Sequence, residues 1–533
     1  MNGSMTVRDA TRDLLRRLGM TTVFGNPGST ELPLLADWPD DFQYVLGLQE
    51  ASVVAMADGF ARATGRAAFC NLHSAAGLGH ALGNVFTAFR NQAPLVITAG
   101  QQARALLPLQ PFLGATDAAQ FPKPYVKWSA EPARAADVPG AIAQAWHIAM
   151  QRPCGPTFVS IPVDDWQAAC GPTMPHRVSR DAAPDPAPLA ALARALGAAE
   201  RPVLVIGPEV DAEGAGAGAV ALAERLQAPV WASPFAARAV FPEQHRLFAG
   251  FLPAAPAPVS QTLSRHDFVL VLGAPVFTFH VGGDCPLFRT EVPIWQLTAD
   301  PEAAAAAPAG EAIVASLRLT LPPLLALLPP APPGRVVPAR PRPPAPAAAD
   351  PIQVATLMAA IDRARPEGAI VVEEAPSHRP AMQDYLPMRD FGSFYTMASG
   401  GLGYALPAAV GVALASPGRR VICLIGDGSM MYSPQALWTA VQHRLPVSVV
   451  VVNNGGYGAM RAFSEVFQMG KPPGIDLPGL DFVTLAAGMG CAGVRVTGWA
   501  GLEAALARSF AAPGPDLVEV VVDQAAAKLY DRA

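Results

Sequence analysis

Short runs of β-branched and other apolar residues alternate along the chain with stretches in which apolar positions recur at helical spacing, the pattern of βαβ units and parallel sheets. In the first third, strands are predicted at Thr22–Gly25, Gln43–Leu48, Ala67–Leu72 and Pro94–Ala99, with a helix over Ala51–Thr64. A second set follows Pro202, at Val203–Gly207, Pro229–Trp231, Phe268–Gly273 and Pro293–Leu297. A third set lies at Ala369–Val372, Val421–Ile425, Val447–Val452 and Asp516–Val522. The predicted fold class is therefore α/β, with three domains each built on a mainly parallel sheet flanked by helices.

Between Leu328 and Pro351 the chain reads LPPAPPGRVVPARPRPPAPAAADP. That proline density forbids a helix interior or sheet centre and favours an extended tether. The expected division is 1–180, 181–330, a Pro-rich linker over 331–350, and 351–533. The outer units are similar in type, but no short-period repeat is evident.

Composition narrows the partners. At 533 residues the chain is too long for one core, and about half of it is apolar, with a net charge of −5. No basic stripe is present to neutralise phosphates, so nucleic acid is not an expected partner. Apolar runs end well before the ~18 residues a bilayer span needs, and the polar N-terminal arm lacks the apolar centre of a signal peptide. Six scattered cysteines, Cys70, Cys154, Cys170, Cys285, Cys423 and Cys491, form no CxxC pair and read as reduced thiols of a cytoplasmic protein. The middle unit has no GxGxxG after a strand; GAGAG at Gly214–Gly218 reads as part of a helical stretch.

The most informative segment runs from Gly426 to Asn454, GDGSMMYSPQALWTAVQHRLPVSVVVVNN. GDGS follows the buried run VICLI, at the carboxyl end of a strand, where open parallel sheets bind ligands. Gly426 and Gly428 allow close backbone approach, and Ser429 and its neighbours offer N–H groups to phosphate. A helix around Gln435–His443 returns the chain to VSVVVV, which ends at Asn453 and Asn454. A right-handed crossover brings the two strand ends to one edge of the sheet. The Asp427 carboxylate, an asparagine amide oxygen, a backbone carbonyl, two phosphate oxygens and water would form an octahedral oxygen shell suited to Mg²⁺. Either turn alone is also what an ordinary tight turn looks like; the pair on flanking strands is far more specific.

GDG followed after some two dozen residues by NN resembles the motif of the thiamine-diphosphate enzyme family. That resemblance makes Asp427, Asn454 and the Gly456 carbonyl the metal ligands, of Mg²⁺ or Ca²⁺ in its place. Ser377, Gly428, Ser429 and Tyr457 would meet the diphosphate. GGLG at Gly400–Gly403 resembles the loop under the thiazolium, with Gly401 and the bulky Leu402 against the cofactor. Glu50, between the run YVLGLQ and a predicted helix, would by charge alone be a favourable helix-start residue. The resemblance makes it the carboxylate that drives the aminopyrimidine to its imino form, with 1–180 as the pyrimidine-binding domain and 351–533 as the diphosphate domain.

FGNPGSTELPLL, NLHSAAGLGHALGN, QEASVVAMADGFA, VKWS, DDW and GAPVF further resemble the 2-keto acid decarboxylases of this family, the benzoylformate decarboxylases foremost. By that likeness Ser29 positions the substrate carboxylate, and His73 and His280 move protons, as imidazoles titrating near neutrality can. Phe112, Leu113, Ala459, Met460 and Phe463 would wall the substrate pocket. The implied reaction passes through an ylide and an enamine, releasing CO₂ and an aldehyde, with benzoylformate as first choice of substrate. It also implies a homodimer as the minimum assembly, with a homotetramer expected. Two departures bear on specificity: His80 replaces an asparagine, and Thr396 an aromatic pocket residue. The competing readings are a carboligase or lyase acting on 2-hydroxy ketones, and a catalytically silent cofactor-binding subunit.

Overall fold

The structure, a computed structural model, describes residues 5–282, 291–330 and 335–524. Cys285 and the N-terminal arm before Met5 lie outside them. Three six-stranded sheets organise the chain, and all strand pairs within them are parallel. Among the described residues no helix is long and apolar enough to cross a membrane.

The first sheet runs Gln43–Leu46, Thr22–Gly25, Ala68–Leu72, Leu95–Gln101, Thr157–Pro162, Trp128–Ala130. Its central strands are buried at every position, because helices cover both faces and leave no solvent side for polar alternation. The third sheet runs Phe394–Thr396, Ile370–Glu374, Val421–Gly426, Val447–Asn453, Asp516–Val521, Ala492–Val496. The helix Glu50–Thr64 joins these two layers. It starts at Gln49, whose side chain accepts from the Ser52 N–H, and stops at Gly65, where φ is 66°. Its partner across the domain boundary is the helix Ala405–Ala415. The two cross backbone to backbone: a Cβ on Gly411 would lie 1.8 Å from the Met56 carbonyl oxygen, and one on Gly59 would lie 2.2 Å from that of Ala408. A single apolar core consequently runs through both domains.

The middle sheet runs Phe248–Phe251, Val230–Ala232, Pro202–Ile206, Phe268–Leu272, Ile294–Thr298, Glu311–Val314. Its strand order reverses between Pro202–Ile206 and Phe268–Leu272, the crevice where such sheets receive nucleotides. Here the chain's own Glu209 carboxylate sits beside the neighbouring strand end, accepting from Thr298 Oγ1 at 2.7 Å and the Ala299 N–H at 2.9 Å. The GAGAG stretch departs from its helical reading. Gly214 takes a left-handed φ of 65°, and the helix starts only at Gly216.

Two arginines fasten the three layers. Arg62 donates to Tyr404 Oη and to the carbonyls of Thr396 and Ala237, while Arg238 donates to the Arg62 carbonyl and pairs with Asp211. The Pro-rich stretch is neither helix nor strand over 335–349, and it lies along the surface. Arg335 donates to the carbonyls of Leu226 and Ala199, Arg342 to that of Glu243, and Arg340 to Asp384 on the third domain.

Candidate active site

The diphosphate end is built by register. Gly426 pairs with Val452, so Asp427 and Asn454 emerge side by side from the carboxyl ends of adjacent strands. The buried Asp427 carboxylate spans both turns: one oxygen accepts from the Gly428 N–H at 2.7 Å, the other from the Gly456 N–H at 2.8 Å. Burial pushes this carboxyl above its ordinary value, and those two amides oppose the shift.

Glycine is required at Gly456, where φ is 150° and a Cβ would stand 2.2 Å from the Ile475 carbonyl oxygen. A Cβ on Gly428 would stand 2.5 Å from the Tyr457 ring, and one on Gly458 would stand 2.5 Å from Asn454 Nδ2 and 3.0 Å from Ser377 Oγ. Asp427, Asn454, Ser377, Gly428, Gly456 and Tyr457 thus share one cradle, with Ser429 buried beside them. The Gly456 carbonyl accepts from the Gly458 N–H and keeps a second lone pair. A carboxylate, an amide oxygen and a carbonyl suit a hard cation whose remaining ligands are phosphate oxygens and water.

Gly401 and Leu402 are ordered from below. The buried carboxylate of Glu374 accepts from the N–H groups of Gly403, Tyr404 and Ala405 at 2.7, 2.8 and 2.6 Å, which caps the following helix and fixes the loop. Burial pushes Glu374 up to about 7 against those three amides. Leu402 packs against the shared core.

The second half of the site belongs to the first domain. Glu50 begins its helix and is buried, its carboxylate against the helix Ser74–Arg90. Oε2 lies 3.1 Å from His80 Nδ1, and a Cβ on Gly77 would come within 3.1 Å of Oε1. His73 immediately precedes that helix, and its Nδ1 lies 2.8 Å from Oε2 of buried Glu31 and 3.2 Å from Thr30 Oγ1. The ring covers Gly28, so His73 and the turn bearing Ser29 are neighbours, with Ser29 exposed. The loop carrying Phe112 and Leu113 is tied to the same place by Ser74 Oγ, which donates to the Leu113 carbonyl at 3.0 Å; the Phe112 ring is exposed.

A third group sits where the middle and last domains meet. The His280 ring stands edge-on to Phe463 at 5.2 Å and to Phe235 at 5.8 Å. Phe463 shares the helix Gly458–Val466 with Ala459 and the half-exposed Met460, directly after the Asn454 turn. Within one chain, the contacts of Glu50 and His73 lie in the first domain, and those of Asp427 in the last.

Thr396 does not serve as an open pocket wall. It is fully buried, and its hydroxyl donates to Glu373 and receives Arg379, so the position is committed to a polar cluster under the sheet. Sequence reading missed Glu31 and Glu374. Glu31 carried one signal, an acid three residues beyond Gly28 in a turn; Glu374 carried only its place at the end of an apolar strand.

Family models for the N-terminal, central and C-terminal domains of thiamine pyrophosphate enzymes match residues 5–121, 189–324 and 375–520. The chain belongs to the thiamine pyrophosphate enzyme family. It is 47% identical to a benzoylformate decarboxylase of Pseudomonas aeruginosa, over 97% of this chain and 98% of that protein. A second relative, the acetolactate synthase large subunit of Parasynechococcus marenigrum, is 30% identical over 96% of this chain and 87% of its own. Among solved structures, a benzoylformate decarboxylase from Polynucleobacter necessarius superposes with a TM-score of 0.95 at 40% identity, covering 98% of this chain and 99% of that one. A thiamine diphosphate-dependent 4-hydroxybenzoylformate decarboxylase from Rhodococcus jostii gives 0.95 at 44%, covering 98% and 100%. The family's architecture of three parallel-sheet domains flanked by helices is the architecture of this chain.

Proposed function

We propose that this thiamine pyrophosphate enzyme decarboxylates an aromatic 2-keto acid without oxidation, benzoylformate first, to an aldehyde and CO₂. The observation that carries the reading is the buried Asp427 carboxylate bridging the GDG and NN turns into one cradle that only glycine permits. The near full-length likeness to benzoylformate decarboxylases supplies the substrate class.

Asp427, Asn454 and the Gly456 carbonyl are assigned to Mg²⁺, with Ca²⁺ suited to the same oxygens. Ser377, Gly428, Ser429 and Tyr457 are assigned to the diphosphate, and Gly401 and Leu402 to the thiazolium. When bound, thiamine diphosphate supplies the carbon nucleophile for the keto group and the sink for the electron pair that CO₂ leaves behind. Glu50 holds the proton on the aminopyrimidine. By likeness to the family, Glu50 of the first domain and the diphosphate cradle of the last are assigned to facing copies, with a dimer as the minimum and a tetramer as the expected assembly.

Ser29 is assigned to the substrate carboxylate. An ionised Glu31 only accepts, so the His73 proton stays on Nδ1 and Nε2 is left to act on the substrate oxygen. His280 takes the second proton-transfer role, held edge-on by Phe463. Phe112, Leu113, Ala459, Met460 and Phe463 form an apolar wall, which favours loss of CO₂ because charge is discharged in that step.

The test is turnover of a 2-keto acid panel by cofactor-depleted protein, with thiamine diphosphate and Mg²⁺ added back. Benzaldehyde and CO₂ from benzoylformate are expected. No release from benzoylformate removes that substrate, and a hydroxy ketone as main product when aldehyde is added marks a carboligase instead.

A further inference from the structure

One stripe of the helix Ser74–Arg90 is dedicated to the start of the helix Glu50–Thr64. Gly77, His80 and Asn84 follow His73 at spacings that keep all four on one face. Gly77 leaves room for Glu50 Oε1, His80 Nδ1 meets Oε2 at 3.1 Å, and Asn84 Nδ2 donates to the Ala51 carbonyl at 2.9 Å. The two carboxylate oxygens of Glu50 therefore have different surroundings. Oε2 has an imidazole, and Oε1 faces a glycine that offers it nothing.

We propose that His80 is a positioning residue for Glu50: its Nδ1–H occupies Oε2 and turns Oε1 toward the aminopyrimidine. This rests on Glu50 being the activating carboxylate. In the single chain the imidazole side chain is 64% exposed while the carboxylate it meets is 11% exposed, so the bond ties a surface ring to a buried acid. An ionised carboxylate accepts and does not donate, which puts the shared proton on Nδ1. Through that bond His80 removes one of the two rotational choices open to a carboxylate at a helix start. The bond also stabilises the negative charge that remains on Glu50 when the pyrimidine nitrogen holds the proton.

The interaction requires a donor at the Nδ1 position and no imidazole chemistry. Asparagine places its amide nitrogen at nearly the same point along the side chain, whereas alanine places nothing there. The experiment compares wild type, His80→Ala, His80→Asn and Glu50→Gln, each saturated with thiamine diphosphate and Mg²⁺. Two quantities are read: exchange of the cofactor C2 proton with deuterium by acid quench and NMR, and cofactor affinity by fluorescence titration. His80→Ala is expected to slow exchange about tenfold, the scale of one charge-assisted hydrogen bond partly shared with water, with cofactor affinity unchanged. His80→Asn is expected to stay within about twofold of wild type. Unchanged exchange in His80→Ala overturns the proposal, as does equal slowing in His80→Ala and His80→Asn. Unchanged exchange in Glu50→Gln instead overturns the underlying assignment of Glu50.

Discussion

Replacing Glu31 by glutamine changes one atom in a fully committed carboxylate. Oε1 accepts from Thr30 Oγ1 at 2.7 Å and the Gly100 N–H at 2.9 Å; Oε2 accepts from the Gly28 N–H at 2.9 Å and meets His73 Nδ1 at 2.8 Å. An amide has one oxygen for these two pairs. With its NH₂ toward Gly28 it confronts a backbone donor and forces the His73 proton onto Nε2. With its NH₂ toward Gly100, His73 keeps its tautomer and the Gly100 N–H loses its acceptor. Either way one backbone N–H, part-buried at Gly28 or buried at Gly100, is orphaned, at about 1–3 kcal/mol, and the charge-assisted bond to His73 is lost or weakened, at about 1.5–3 kcal/mol. We expect Glu31→Gln to destabilise the fold by about 3 kcal/mol in urea denaturation and to lower kcat about a hundredfold, with thiamine diphosphate affinity unchanged. Nitrogen-15 NMR of the His73 ring reports the tautomer directly. Wild-type kcat in Glu31→Gln would refute the claim that this carboxylate sets the working face of His73.

Asp427→Asn should abolish Mg²⁺-dependent binding of thiamine diphosphate, by at least about a hundredfold in calorimetry, with far-ultraviolet dichroism preserved, since a buried amide can neither charge-balance the cation nor accept both the Gly428 and Gly456 N–H groups. Gly411→Ala should cost more than about 3 kcal/mol in a thermal melt, because the new methyl meets the Met56 carbonyl and a backbone cannot step aside. Buried Glu243 is pushed by desolvation up to about 8, well above its unfolded value, so it binds a proton more tightly folded than unfolded. Its contribution is fully present below pH ~4.5 and is lost as pH rises through ~8. Glu243→Gln should therefore flatten the fall in melting temperature between pH 5 and 8, and a fall of undiminished slope would refute this. Chelation of the metal should remove activity, and Mg²⁺ should restore it.

The apolar strands were legible because a parallel sheet covered on both faces requires unbroken hydrophobic runs. Thr22–Gly25 matches to the residue, and most other ends shift by one or two. The shifts have causes: the strand predicted to end at Val372 continues through Glu373 and Glu374, both fully buried. Charge ended the prediction, but Arg379 pairs with Glu373 and three backbone amides satisfy Glu374. Asp427 and Asn454 were legible because their glycine turns stand at strand ends in adjacent register. Glu31 was not, since its value lies in His73, which is brought alongside only by the sheet. The burial of Thr396 was hidden in the same way, its hydroxyl being claimed by Glu373.

The strap of prolines between the middle and last domains has a consequence for how the molecule survives damage. It is exposed along much of its length, yet the units it connects are also riveted by Arg238, which reaches Asp211 on one side and stacks on Tyr395 on the other, and by Asp211 receiving the Gly392 N–H. A protease that severs the strap cuts a covalent link without releasing either piece, so a nicked molecule should migrate as fragments under denaturing conditions and still behave as an intact catalyst.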